Sequence, residues 1–351
     1  MTRRRAAWAA VCAVAAAAAL VPLPARWIES WYSRGLYPAL QRVLTTISNL
    51  SPFPLLDALL LTGVAVITIA AYRALRARGW RGLGNLLGTL VCAAAVVYLV
   101  FLATWGLNYR RLPLTSKLAF EPSRITRAAA ADLAARTVRS LNQLYAAAHS
   151  GETDLARLSA AFHSAERALA TAGRGAANAG SPATVLGHPK STLLGGYFHY
   201  TSVAGMTDPF FLETLIASDL LEVERPFVIA HEWGHLAGYA DESEANYIAW
   251  LTCMRGDERA QYSAWLALLG NVQPFLAKGE GPVLDIGPRI DVYAIRYRYT
   301  RTSPVLRAAA RETYDRYLKA NRVERGIESY GAVLQLILGT ELDPSGNPRV
   351  R

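Results

Sequence analysis

Three long apolar runs open the chain. Residues 6–21 follow Arg3, Arg4 and Arg5, residues 55–72 carry a single acid, Asp57, near their start, and residues 86–105 carry no charge and end in Trp105. A helix needs about 20 apolar residues to cross a bilayer, with a range of about 17–25, so the pattern predicts about three spans. The first run is short and alanine-rich, as the apolar core of a signal peptide also is. Pro22, Leu23 and Pro24 make a poor cleavage site, which favours an uncleaved anchor.

Beyond residue 106 the pattern changes. Residues 124–150 and 152–173 read as amphipathic, alanine-rich helices. Residues 175–189, rich in Gly, Ala, Ser and Pro, read as a loop. Residues 193–202 (LLGGYFHYTS) and 210–216, joined by turn chemistry at 204–209, read as a hairpin, with 195–202 as a candidate edge strand. Two helices follow at 226–238 and 241–255, broken at Gly238, and further helices at 258–269, 304–321 and 327–338. No internal repeat is visible. The expected fold is α+β: an N-terminal helical transmembrane region at 1–106, then a mostly helical domain with a small edge sheet at 107–351, long enough for one well-packed core.

Composition supports this division. The chain of 351 residues is 52% hydrophobic and 18% charged, too apolar for an ordinary soluble enzyme. Its formal charge of +10 sits mostly in the first 106 residues, which hold ten Lys/Arg and two acids, whereas the rest balances 27 Lys/Arg against 25 acids. A nucleic-acid partner would need a basic stripe on the folded domain, so none is expected. Basic loops stay on the cytoplasmic side of a membrane. Arg73, Arg76, Arg78 and Arg81 lie between the second and third runs, and the Arg3–Arg5 cluster marks the N-terminus. A multi-pass plasma-membrane protein is expected, with the long loop 23–54 and everything after Trp105 outside the cytoplasm. Arg110, Arg111 and Lys117 run against that assignment. Cys12, Cys92 and Cys253 are too widely spaced for a disulfide framework or a cysteine zinc site.

The chemistry concentrates at His231-Glu232-Trp233-Gly234-His235, an HExxH motif. Positions i and i+4 share one helix face, so both imidazoles can bind one ion. Glu232 stands beside them, placed to act on a water at that ion. Pro226 suits a first helical turn and Gly238 a C-terminal stop. Catalytic zinc takes three protein ligands and keeps an open position. The third ligand is Asp241, Glu242 or Glu244. Asp241 completes HExxHxxGxxD, the metzincin spacing with Asp in place of the third His. Asp241 and Glu244 also form a capping box, Asp241 as N-cap and Glu244 reaching back to it, which leaves Glu242 free. Glu242 and Asn246, one helical turn apart, are similar to the ExxxD of gluzincins, in which the second residue supports a ligand from behind.

These residues carry a resemblance to the bacterial membrane proteins of domain-of-unknown-function family 3810, whose members resemble zincin metalloproteases. It rests on the segment WGLNYRR (105–111), residues 226–238 with HEWGH, ESEAN (242–246), and Ser329-Tyr330. The resemblance implies a zincin-like domain with Glu242 as third ligand, because the place of Asp241 varies in the family pattern. ESEAN is also similar to the ExxAD of CAAX prenyl proteases, with Asn246 departing from the Asp there.

Tyr330 is a candidate oxyanion donor, against a plain packed tyrosine. His199 is a second such candidate, though a lone histidine in a strand is usually structural. Tyr293, Tyr297 and Tyr299 among arginines read as a solvated or membrane-facing surface. The expectation is a membrane-anchored zinc peptidase acting on peptide or protein substrates: Glu232 as general base, Zn2+ on His231, His235 and Glu242. The alternative is a zincin-fold scaffold or receptor without turnover. Charged residues close to both sides of the motif argue against a site within the bilayer.

Overall fold

The computed structural model describes residues 3–171, 183–276, 281–300, 304–321 and 332–349. It is mostly helical, with one small three-stranded sheet.

Helix α1 spans Arg3–Leu20, and α2 spans Ala25–Asn49, bent from α1 by 108°. The sequence reading made 23–54 a loop. The structure corrects this to a helix that includes a π-helical stretch, Ile28–Leu36. The helical run α3 covers Leu55–Thr104 and is broken at Gly79, whose φ of 54° and ψ of −143° are not helical. A straight run of that length would measure about 75 Å, yet both ends are tied to the same domain. At one end Glu213 accepts the N–H groups of Leu55 and Leu56, both at 3.0 Å, answering the unpaired donors and positive dipole of a helix start. At the other, Trp105 Nε1 donates to the His235 carbonyl. The run therefore folds back near Gly79 and carries Arg73–Arg81 to the tip farthest from the domain. Its segments Leu55–Gly84 and Leu86–Thr104 are long and apolar enough to cross a membrane; α1 reaches that standard only as a bent pair with α2.

Helices α4 (Arg127–Ala148) and α5 (Leu155–Thr171) start the domain. Strand β1 (Pro189–Lys190) pairs in parallel with β3 (Thr214–Ile216), and β2 (Gly205–Thr207) pairs antiparallel on its other side. The expected strand at 195–202 is instead helix α6 (Gly195–Thr201). Phe198 is buried while Tyr197 and Tyr200 are exposed, a helical rather than an alternating pattern, and Ser202 ends the helix in the left-handed region at φ 62°. The hairpin exists, but between β2 and β3.

Helices α7 (Arg225–Leu236), α8 (Glu242–Cys253) and α9 (Glu258–Val272) follow. Then come α10 (Ile286–Thr300), where the sequence showed only a tyrosine–arginine pattern, α11 (Pro304–Ala320) and α12 (Val333–Gly339). One apolar core joins the regions, with Tyr37, Phe101 and Trp105 packed in the same cluster as Ile229, Trp233 and Trp250. Buried aliphatic and aromatic side chains each stabilise by about 1.5–3 kcal/mol, so the apolar N-terminal helices and the domain share the burial that holds them together.

Candidate metal centre

Pro226 sits in the first turn of α7 and Gly238 just beyond its end, at φ 84°. That φ favours glycine, and a Cβ there would also crowd the Tyr37 ring at 3.0 Å. Between these ends His231 and His235 face the same way, ring centroids 4.6 Å apart. The turn at Gly238 reverses the chain into α8. Asp241 is its N-cap, with Oδ1 accepting the N–H groups of Ser243 at 2.9 Å and Glu244 at 3.2 Å. The cap places Glu242 at the first helical position, over the two imidazoles.

Glu242 Oε2 lies 3.2 Å from His231 Nε2 and 3.5 Å from His235 Nε2. These three side chains offer ligand atoms within 4.8 Å of one another and could hold a metal ion. The structure brings Glu242 into the cluster and turns the other two acids away. Asp241 caps, and Glu244 does not close the capping box; its Oε1 accepts the N–H of Leu114. Burial, reinforced by Asp241, raises the Glu244 pKa to about 7.

The donor set fits a cation. Glu242 Oε2 is buried with no hydrogen bond, as is His231 Nδ1. An orphaned buried carboxylate oxygen is costly unless a positive charge answers it. His235 Nδ1 lies 2.7 Å from the Tyr239 carbonyl oxygen; a carbonyl only accepts, so the proton sits on Nδ1 and Nε2 faces Glu242. Without an ion, the charges answer each other. Burial would lower the His235 pKa, but Glu242 raises it to about 9, and the two histidines overcome burial to hold Glu242 below the usual carboxylate range.

Glu232 is buried on the sheet side of α7, its pKa raised by burial although His231 and His235 draw it down. Thr207 Oγ1 donates to Glu232 Oε2 at 2.8 Å, and a Cβ on Gly205 would sit 2.7 Å from Oε1. Strand β2 thus runs directly against the acid. Asn246 lines a cavity of about 250 Å³ with Phe227, Trp250 and Leu268, and among the described residues it makes no hydrogen bond to the cluster. His199 pairs with Asp219 at 2.8 Å, part-exposed. Tyr330 lies outside the described residues.

Several residues at the site were not singled out from the sequence. The Tyr314 hydroxyl, on α11, donates to Glu242 Oε1; its spacing to Tyr317, which stacks on it, is the only local signal. Three groups take the last carbonyls of α7 and its turn: Trp105 Nε1 reaches His235 O at 3.4 Å, Tyr37 reaches Leu236 O at 3.0 Å, and Arg111 reaches Gly238 O at 2.8 Å. Trp105 and Arg111 belong to the WGLNYRR segment, whose purpose is thereby visible: it completes the open end of the histidine helix.

Fold and site define a mostly helical, membrane-associated protein with a buried His-His-Glu cluster. The chain matches the family model "Protein of unknown function (DUF3810)" over residues 32–338 and belongs to that family. Neither a curated protein nor a solved structure matches it.

Proposed function

We propose that this chain is a membrane-anchored, zincin-like zinc metallopeptidase whose domain hydrolyses peptide or protein substrates outside the cytoplasm. The observation that carries the reading is the convergence of two imidazole Nε2 atoms on a carboxylate oxygen that has no hydrogen-bond donor of its own, beside a second buried glutamate.

His231, His235 and Glu242 would hold the ion. Bound zinc supplies a Lewis acid that polarises a carbonyl and makes water acidic near neutral pH. Glu232 takes a proton from the attacking water and delivers it to the departing amine. Its raised pKa suits a group that must carry that proton between the two steps, and the Thr207 hydroxyl fixes its direction. Strand β2 is an edge of the sheet and passes against Glu232, so an extended peptide adding to that edge comes within reach of the acid. Tyr314 steadies Glu242 through its hydroxyl, and Tyr330, outside the described residues, stays the candidate donor for negative charge developing on the scissile carbonyl. The HExxH helix has 12 residues, about 18 Å, too short to cross a bilayer, which favours a site in the domain. The Arg73–Arg81 tip, opposite the domain, supports an external location.

The test measures metal content and cleavage of a broad peptide library by the purified full chain. Wild type should hold about one zinc and cleave. His231→Ala should lose zinc. Glu232→Gln should keep zinc and lose cleavage, since an amide cannot take the proton. Zinc without cleavage in wild type would make the protein a scaffold or receptor instead.

A further inference from the structure

Helix α2 turns an apolar face outward. Its face toward the domain is mixed: Ile28, Tyr32 and Tyr37 are buried along its first half, and Gln41, Thr45 and Ser48 along its second. Gln41 Nε2 donates to the Val185 carbonyl at 2.7 Å and Thr45 Oγ1 to the Leu212 carbonyl at 3.0 Å. Its outward face carries Trp27, Trp31, Leu36, Val43, Ile47 and Leu50, each between 49% and 81% exposed. The five-residue step from Trp31 to Leu36 falls in the π-helical stretch, whose i→i+5 winding keeps both on one stripe. Steps of seven, four and three carry the stripe on through ordinary helix. A helix on a water-soluble domain keeps its outward side polar. Arg26, Arg34 and Arg42 recur at eight-residue steps along the exposed flank.

Cys12 Sγ lies 3.8 Å from Cys92 Sγ, so α1 contacts the segment Leu86–Thr104. The 108° bend after α1 turns α2 sharply away from the direction of α1. Leu50 is followed within five residues by Leu55, where the next apolar segment begins, so this end of α2 lies level with the end of that segment. Tryptophan and a basic flank beside an apolar stripe are what a helix lying in a membrane interface carries.

We propose that α2 lies in the plane of the bilayer interface, its outward stripe embedded at the boundary of headgroups and acyl chains and its inward face carrying the domain. The occupant of this face is lipid. Arg26 and Arg42 reach lipid phosphates, as long basic side chains do at such a boundary. Because Tyr37 on α2 is bonded to the Leu236 carbonyl, the candidate metal centre stands about one helix diameter, 10–12 Å, above the lipid.

The test uses the full chain in vesicles of phosphatidylcholine and phosphatidylglycerol. Leu36→Cys, Val43→Cys and Ile47→Cys, each in a background with Cys12, Cys92 and Cys253 changed to alanine, carry a nitroxide whose accessibility to oxygen and to a water-soluble nickel chelate gives its depth. The three labels should share one depth within about 5 Å and be shielded from nickel. Nickel access equal to that at exposed Glu152→Cys would overturn the proposal by placing α2 in water. A depth graded by about 16 Å from position 36 to position 47 would overturn it by making α2 a crossing helix. In unsubstituted protein, a photoactivated diazirine on the phospholipid should label Trp27, Trp31 and Ile47; labelling confined to α1 and α3 would count against it.

Discussion

Arg111 holds Gly238 by its carbonyl, Nη1 to O at 2.8 Å, while Nε and Nη2 grip Glu29 at 3.0 Å each. The guanidinium also covers the Tyr239 ring at 4.7 Å, and the Tyr239 carbonyl in turn accepts from His235. Glu29 on α2 is thus linked through one arginine to the turn that orients the His235 imidazole. Groups that orient ligands in this way are worth about 10–100-fold in metal affinity. Arg111→Ala should weaken zinc binding by that factor, read by competition with a chromogenic chelator. Arg111→Lys should recover little, because a lysine cannot grip Glu29 and Gly238 together. Unchanged affinity in both variants would remove Arg111 from the ligand framework.

The three acids after His235 should separate cleanly. Glu242→Ala should lose zinc and keep the fold. Asp241→Ala should keep zinc and lose about 0.5–2 kcal/mol of stability, the cost of a missing N-cap. Glu244→Ala should also keep zinc, at a cost of about 1–3 kcal/mol, because the buried Leu114 N–H loses its acceptor. Zinc stoichiometry and thermal melts decide; zinc lost from Asp241→Ala but kept by Glu242→Ala would reverse the assignment.

Tyr314→Phe removes the donor to Glu242 Oε1 and leaves the ring stack with Tyr317. Zinc affinity should fall by about tenfold or more, with the melting temperature of the metal-free protein little changed. Equal zinc affinity with equal turnover would make Tyr314 a packing residue.

Asp208 provides the pH test. It is fully buried, its oxygens accept the Phe210 and Phe211 N–H groups at 3.0 and 2.7 Å, and burial pushes its pKa up to about 7. A folded-state pKa above the unfolded value near 3.9 means that the folded protein binds this proton more tightly. The group's contribution is therefore greatest below about pH 4 and is lost as pH rises toward 7. Asp208→Asn should flatten that part of the profile between pH 5 and 8, by about 1.4 kcal/mol or more between wild type and variant. Parallel profiles would show that Asp208 does not titrate there.

Orientation is open to a direct check. A reporter active only outside the cytoplasm, joined to the C-terminus of the full chain, should be active. A cytoplasmic reporter active at that same place would reverse the location of the domain.

The parts legible in the sequence were local ones. HExxH needs only helical spacing to bring His231 and His235 together, and Pro226, Gly238 and Asp241 announce the ends of their helices. Residues 55–72 and 86–105 declare themselves by composition alone. Segment 195–202 misled because Tyr, Phe and Thr favour strands, whereas burial of Phe198 between exposed tyrosines selects a helix. Helix α2 was missed because apolar side chains lie on both its buried and its outward face, and buried Gln41, Thr45 and Ser48 interrupt the inner one, so no single apolar stripe marks a domain helix. Tyr314 lies 72 positions from Glu242, and no periodicity reports a contact made across that distance.

The three groups that close the end of the histidine helix also set an order of assembly. Tyr37, Trp105 and Arg111 lie 199, 130 and 127 positions from the carbonyls they bind, and all three precede the helix in synthesis. Contacts this distant form late. The frame is made well before the helix it must close, and Trp105 directly follows a segment apolar enough to cross a membrane. The histidine helix therefore keeps an unfinished end until these earlier segments have packed against it.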